Sequence, residues 1–367
     1  MNQIVRIGVA RSPQHTAERR VLSVRRQAKF HPEAAARALL TFFFLLLCTH
    51  CSLLTTWASP WRRQPSGTMA WLRAVYFLDP SRGWVAGSNG ALLATTDGGA
   101  TWNKLSPLTK DTLQDVYFAD GDVGWLIVTR DIFKLKTNEP ASYLLKTENG
   151  GMNWRPVFLS SADMSARLVR LVFADAEHGW AFGESGVVFG TRDGGAHWTR
   201  QTAATRHLLL GGAFADGAHG CLVGAAGTIV YTSDGGVSWQ SSIVRDGARV
   251  RFNAATFVGS RGWAVGGAGQ IFSTNDGGRT WFRETSPTDT DLLDIDFIDS
   301  SEGWVVGAGG VMLHTRDGGI HWSVEPTETS HVLQRLFIVD RSHAWAVGFG
   351  GTILKFGESK TPQLRNP

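Results

Sequence analysis

Apolar residues along most of this chain come in short alternating runs broken by glycine-rich turns, the pattern of half-buried strands rather than of helices. Leu72–Leu78 alternates as a strand and Trp84–Gly87 follows as a second. Gly87-Ser88-Asn89-Gly90 supplies a hairpin turn into a third, Ala91–Thr95. Asp97-Gly98-Gly99 then turns the chain into a fourth, Trp102–Leu105. An aspartate at such a turn bonds its own downstream amides, glycine supplies the positive φ, and the tryptophan packs back over the turn.

This unit recurs. The acidic turn is centred on Asp97, Asn149, Asp193, Asp234, Asp276 and Asp317, each followed by Gly-Gly and by Trp102, Trp154, Trp198, Trp239, Trp281 or Trp322. A Gly-Trp pair precedes it at Trp84, Trp125, Trp180, Trp263 and Trp304, with Cys221 in the tryptophan position of the fourth copy and Trp345 opening a seventh. A phenylalanine column runs ahead of these: Phe77, Phe118, Phe173, Phe214, Phe257, Phe297 and Phe337. Four-stranded units repeating at about 41 residues predict an all-β, seven-bladed propeller of antiparallel blades. The last unit ends near Gly357 without a fourth strand, while Trp61 lies in register with the fourth-strand tryptophans. The N-terminal strand is therefore expected to complete the last blade and remove the open edges.

Composition adds two things. The 43 glycines and 15 tryptophans of the 367 residues serve the turns and their packing. The net charge of +4 misleads, because residues 1–58 hold eight Lys or Arg against two Glu, so residues 59–367 are net negative. A nucleic-acid binder is expected to carry its basic face on the folded body, so nucleic acid is not an expected partner. Residues 1–58 read as a basic leader with an apolar run, Leu39–Leu47, too short for a bilayer span of about 20 residues. The run fits an export signal with cleavage after Ala58, or an uncleaved anchor that would give membrane contact; Leu-Leu-Leu-Cys48 is a poor lipoprotein box. The propeller is expected over residues 59–358 and a tail over 359–367. Cys48 and Cys51 lie in the leader and Cys221 stands alone, so no disulfide framework or metal motif is expected.

The Thr-x-Asp-Gly-Gly-x-x-Trp turns are Asp-box (bacterial neuraminidase) repeats. With Gly-Trp-x-x-Gly-x-x-Gly ahead of each, residues 61–357 resemble the photosystem II assembly and stability factor family of plants and cyanobacteria. That resemblance implies a lumenal or periplasmic propeller that assists a membrane complex, or its assembly intermediates, by protein contact. Photosystem II subunits would be the partners in a photosynthetic source. The chain departs from the pattern at Asn149 and Cys221. An envelope accessory of a transport complex in a non-photosynthetic bacterium is the alternative with the same mode of action.

Six near-identical turns at fixed spacing are what packing requires of every blade, so the Asp-boxes are structural. Departures from the repeat locate the candidate site. Trp125 to Asn149 spans 24 residues where 13 is the rule, inserting Asp131–Pro140 with Phe133, Lys134 and Lys136. Trp154 to Phe173 is also long, and strand alternation puts both insertions on one face. Six residues before each phenylalanine, at the same face, stand Trp71, Thr112, Arg167, Leu208, Arg251, Asp291 and His331; three before stand Ala74, Asp115, Arg170, Gly211, Ala254, Asp294 and Gln334. Arg167, Arg170 and Arg251 are candidates for binding a partner's carboxylates, and Trp71, His331, Phe133, Lys134 and Lys136 are further partner-binding candidates. The competing reading is a solvated channel mouth in which these arginines pair internally with Asp291 or Asp294.

A sialidase-like hydrolase is the rival class. It needs an arginine cluster, a tyrosine nucleophile and an acidic partner. Of four tyrosines, Tyr76 and Tyr117 share a repeat column, Tyr231 sits on a third strand and Tyr143 in the inserted region, so none stands apart as a nucleophile. No catalytic residue and no cofactor is assigned.

Overall fold

The computed structural model describes residues 59–357 except 107–108, 132, 134, 137, 158, 160–164 and 247–248. The leader, the tail and Lys134 lie outside the described residues. Seven antiparallel sheets radiate from a central channel. Blade 1 shows the plan: an inner strand Leu72–Phe77, then Gly83–Gly87, Leu92–Thr95 and an outer strand Asn103–Lys104. The other inner strands are Thr112–Phe118, Leu168–Phe173, Leu209–Phe214, Phe252–Val258, Leu292–Phe297 and Leu333–Asp340, each touching the next and the last touching the first.

Closure is by the N-terminal strand. Trp61–Gln64 pairs antiparallel with Ile353–Phe356, Trp61 opposite Phe356, and so becomes the outer strand of blade 7. Blade 5 carries a fifth strand that the repeat does not announce, Ile243–Val244, which runs parallel to the outer strand Thr280–Glu284.

Blades are joined by aromatic stacks. The Gly-Trp indole of one blade lies flat on the phenylalanine of the next: Trp84 on Phe118 at 3.6 Å between ring centroids, Trp180 on Phe214 at 3.5 Å, Trp263 on Phe297 at 3.7 Å, and Trp345 on Phe77 at 3.4 Å across the closure. The Asp-box tryptophan meets the same phenylalanine edge-on, as Trp102 does Phe77 and Trp322 does Phe297, both at 5.9 Å. Glycine is required before the indole where the blade's own phenylalanine faces it: at Gly83 a Cβ would lie 2.5 Å from the Phe77 ring, whereas in blade 7, where Ile338 stands opposite, the position is Ala344.

The Asp-boxes share one bonding scheme. In blade 1, Thr95 Oγ1 donates to Asp97 Oδ1 at 2.8 Å and accepts from the Gly99 amide at 2.8 Å. Asp97 also accepts the Thr101 amide at 2.8 Å and the Thr101 hydroxyl at 2.6 Å, which hold its carboxyl down at about 2. Gly98 and Gly99 take φ of 66° and 85°, where a side chain would be strained. Asn149 keeps the scheme with its single carbonyl oxygen, accepting from Thr147 Oγ1 and the Asn153 amide.

Candidate functional site

Every inner strand has a bulge near its start, between Leu72 and Ala74 in blade 1 and at the matching place in the other six. The extra residues are Arg73, Gln114, Val169, Leu210, Asn253, Leu293 and Gln334, and all seven line a cavity of about 330 Å³ at one end of the channel. A bulge re-aims a side chain; repeated sevenfold, it furnishes the channel mouth. Trp71, Arg251, Asp291 and Arg335 line the same cavity. The face is the one carrying the second-to-third turns and the loops between blades, since the Gly90 amide donates to the Asp111 carbonyl.

Below the mouth lies a charged layer. Arg170 Nη2 reaches Asp294 Oδ1 at 3.2 Å, and Arg170 Nε and Arg335 Nη2 each lie 3.8 Å from Asp115 Oδ2. The carboxylates also accept backbone amides from neighbouring blades, Asp115 from Leu171 at 2.8 Å and Asp294 from Leu336 at 3.0 Å. Burial raises the Asp115 carboxyl to about 6 against the pull of Arg170, and raises Asp294. Beyond this layer a second cavity of about 420 Å³ holds Tyr76, Tyr117, Asp296 and Phe337. Burial, with the charge of Asp294, pushes Asp296 up to about 7.

The arginine candidates therefore divide. Arg170 is spent on the channel's own aspartates. Arg167 Nε lies 3.8 Å from Glu184 Oε1. Arg251 is exposed and its Nε donates to the neutral Asn253 Oδ1 at 2.8 Å. Asp291, offered as an internal partner for these arginines, instead accepts the Ala268 amide at 2.9 Å. Trp71 is half-buried, edge-on to Phe349 at 5.7 Å, with the Arg73 guanidinium 4.1 Å from its ring centre. Burial lowers the pKa of Arg73.

Blade 7 corrects the column. Its register sets Phe337 opposite Trp345 and Ile338 opposite Ala344, whereas blade 1 sets Tyr76 opposite Trp84 and Phe77 opposite Gly83. Ile338 thus holds the phenylalanine position, and Phe337 joins Tyr76 in the channel at 4.9 Å. Arg335, not Gln334, is the charged-layer residue of blade 7, and Val332, not His331, matches Trp71. His331 instead bonds Thr352 Oγ1 through Nδ1 at 2.8 Å and meets Phe349 edge-on at 5.8 Å. The bulge residue Arg73 was also missed, because an extra strand residue has no signal in an alternation pattern.

The two long segments adjoin. Ser142 Oγ, at the base of the blade 2 hairpin, donates to the Ala166 carbonyl at 3.2 Å and accepts the Leu168 amide at 2.8 Å. In the inserted segment Phe133 is 92 % exposed, and Lys136 is exposed as well. Burial pushes Tyr76 up and Tyr117 up to about 12, away from deprotonation, and Tyr231 donates its hydroxyl to Gln240. Among the described residues no group of three or more His, Cys, Asp or Glu is placed to hold a metal.

Comparison with known proteins follows the same lines. Residues 54–163, 201–285 and 283–358 match the family described as "Photosynthesis system II assembly factor YCF48". The "Photosystem II assembly lipoprotein Ycf48" of Synechococcus sp. (strain CC9902) is 30 % identical over 155 residues, 41 % of this chain and 43 % of that protein. The chloroplastic "Photosystem II stability/assembly factor HCF136" of Arabidopsis thaliana is 30 % identical over 125 residues, 33 % of this chain and 28 % of that one. The chain thus aligns with less than half the length of either relative. Among solved structures, "YCF48 bound to D1 peptide" superposes with a TM-score of 0.67 at 19 % identity, over 82 % of this chain and 96 % of that one. The GH74 xyloglucanase of Xanthomonas campestris shares the fold at a TM-score of 0.62 and 14 % identity, over 81 % of this chain and 53 % of that one. At such identities the likeness concerns the fold alone, and a propeller scaffold carries many functions.

Proposed function

Since this chain belongs to the photosystem II assembly factor YCF48 family, we propose that it is a non-catalytic binding propeller that assists assembly or stability of a membrane protein complex, by holding an extended segment of a photosystem II subunit. The segment docks at the bulge-lined mouth on the exported side of the membrane. The observation that carries this reading is the pairing at that mouth of an exposed arginine, Arg251, whose side-chain partner is neutral, with Arg73 stacked on Trp71. Guanidinium groups fork onto carboxylates, and the indole gives a flat apolar wall for a side chain or a peptide plane. The charged layer lies below the mouth, with Arg335 lining the cavities on both sides of it, and the ligand is taken to rest on the mouth.

The test is fluorescence anisotropy of a labelled D1 peptide titrated with the full chain. A charge-assisted hydrogen bond contributes about 1.5–3 kcal/mol, about tenfold or more in affinity. Arg73→Glu with Arg251→Glu should weaken binding at least a hundredfold, and Arg279→Glu, on the opposite face, should not change it. Equal affinity for the double variant and the parent chain would remove the mouth from consideration. A peptide that binds neither would send the search to crosslinking in the native membrane.

A further inference from the structure

The junction between blades 4 and 5 lacks the indole that stacks on the next blade's phenylalanine at four other junctions. Cys221 stands in that position, fully buried against Phe257 and the Gly278 backbone. Beside it opens a cavity of about 510 Å³ that includes Gly220, Phe257, Gly277 and Arg279 in its walls. Tyr231, the cross-strand neighbour of Cys221, does not line it; its hydroxyl is tied to Gln240 on the outer strand at 2.7 Å. We propose that this cavity is a slot for the tryptophan side chain of a partner protein, docking on the Asp-box face.

The protein's own junctions state what such a slot holds. Trp263 lies on Phe297 at 3.7 Å and donates its indole N–H to the Gly318 carbonyl at 2.9 Å; Trp345 lies on Phe77 at 3.4 Å and donates to the Gly98 carbonyl at 3.2 Å. The counterparts in the slot are the ring of Phe257 and the carbonyl of Gly277, which receives no side-chain donor among the described residues. An indole therefore meets both a stacking surface and an acceptor in the geometry the fold already uses. The cavity exceeds one indole in volume and opens at a rim of Asp216, His219 and Arg279, which suits a side chain arriving on a polypeptide rather than a free ring sealed inside. The slot lies on the face carrying the acidic turns, since the Gly277 amide donates to the Ser260 carbonyl, and is thus independent of the channel mouth.

The test uses the full chain and N-acetyl-tryptophanamide as probe, followed by ligand-observed NMR, with free indole and N-acetyl-tyrosinamide as comparison probes. Expected is saturable one-to-one binding of the tryptophan probe, weakened at least tenfold by Cys221→Trp, which fills the slot from within, and by Phe257→Ala, which removes its wall. Cys221→Trp should also raise the thermal midpoint while leaving D1 peptide binding at the mouth unchanged. No saturable binding at millimolar probe, equal binding by Cys221→Trp, or a Cys221→Trp chain that is destabilised or unfolded would overturn the slot. Binding of free indole without the tryptophan probe would replace docking by a small-molecule site, and equal binding of the tyrosine probe would refute indole selection. None of these outcomes bears on the mouth, whose own titration is read separately.

Discussion

Replacing Trp61 by alanine tests the closure directly. Trp61 is 1 % exposed, meets Phe356 edge-on at 5.3 Å, and packs in one cluster with Trp304, Leu336 and Leu354. Its indole N–H donates to Glu325 Oε2 at 3.0 Å, and the backbone on either side of it is held by the pairing with Ile353–Phe356. Truncating a buried tryptophan costs about 3–5 kcal/mol in lost transfer energy and cavity. The lost hydrogen bond frees Glu325 Oε2, while His314 Nδ1 keeps the other oxygen, Oε1, at 2.9 Å, so the carboxylate stays paired. A loss of about 4 kcal/mol is a large part of the roughly 5–15 kcal/mol that holds a domain folded. Urea titrations of the full chain, read by circular dichroism, measure the loss, with Arg62→Ala on the same strand as an exposed control expected within about 0.5 kcal/mol. Hydrogen exchange of the amides in 353–356 should accelerate in Trp61→Ala before the rest of the propeller opens. A loss below about 1 kcal/mol with unchanged exchange in 353–356 would refute the view that this one side chain anchors the closing strand.

Three further outcomes follow from the same structure. Asp296 is raised to about 7, above its unfolded value, so the folded state takes up a proton that the unfolded state lacks at neutral pH, and the protein should gain stability as pH falls from about 7.5 to 5.5. Asp296→Asn should lose about 1–2 kcal/mol of that gain, checked by denaturant midpoints across the range; equal pH slopes would count against it. Asp234 accepts Thr232 Oγ1 and the Ser238 amide on one oxygen and the Ser238 hydroxyl on the other. Asp234→Asn keeps the first oxygen, as Asn149 does naturally, and should cost less than half of the about 1–2 kcal/mol expected for Asp234→Ala by thermal melting. Gly83→Ala would set a methyl 2.5 Å from the Phe77 ring and push it off Trp345, an expected loss of about 2–3 kcal/mol, whereas Gly67→Ala, with nothing within 4 Å and only its φ of 66° to strain, should cost about 1 kcal/mol.

The blade count, the turn chemistry and the closing strand were all legible in the sequence, because each is a local rule repeated. An Asp-Gly-Gly turn with its following tryptophan solves the same packing problem in every blade, so it recurs at one period, and Trp61 betrays its blade by standing in phase. Blade 7 defeated the pattern for a definite reason. A phenylalanine stands one residue short of the column, and only the pairing of Arg335 with Val347 reveals that Arg335 is the channel residue.

What the chain determined by itself is thus everything that a neighbour in sequence enforces: strand, turn, blade and the edge that needs a partner. Tertiary structure alone decided which charges meet. Arg170 and Asp294 are 124 residues apart and come within 3.2 Å only because a closed ring brings distant blades together across one axis. The same holds for the slot beside Cys221. A missing indole is visible in the sequence, but whether its space collapses or stays open depends on how rigidly two blades are held apart, and that is a property of the whole ring.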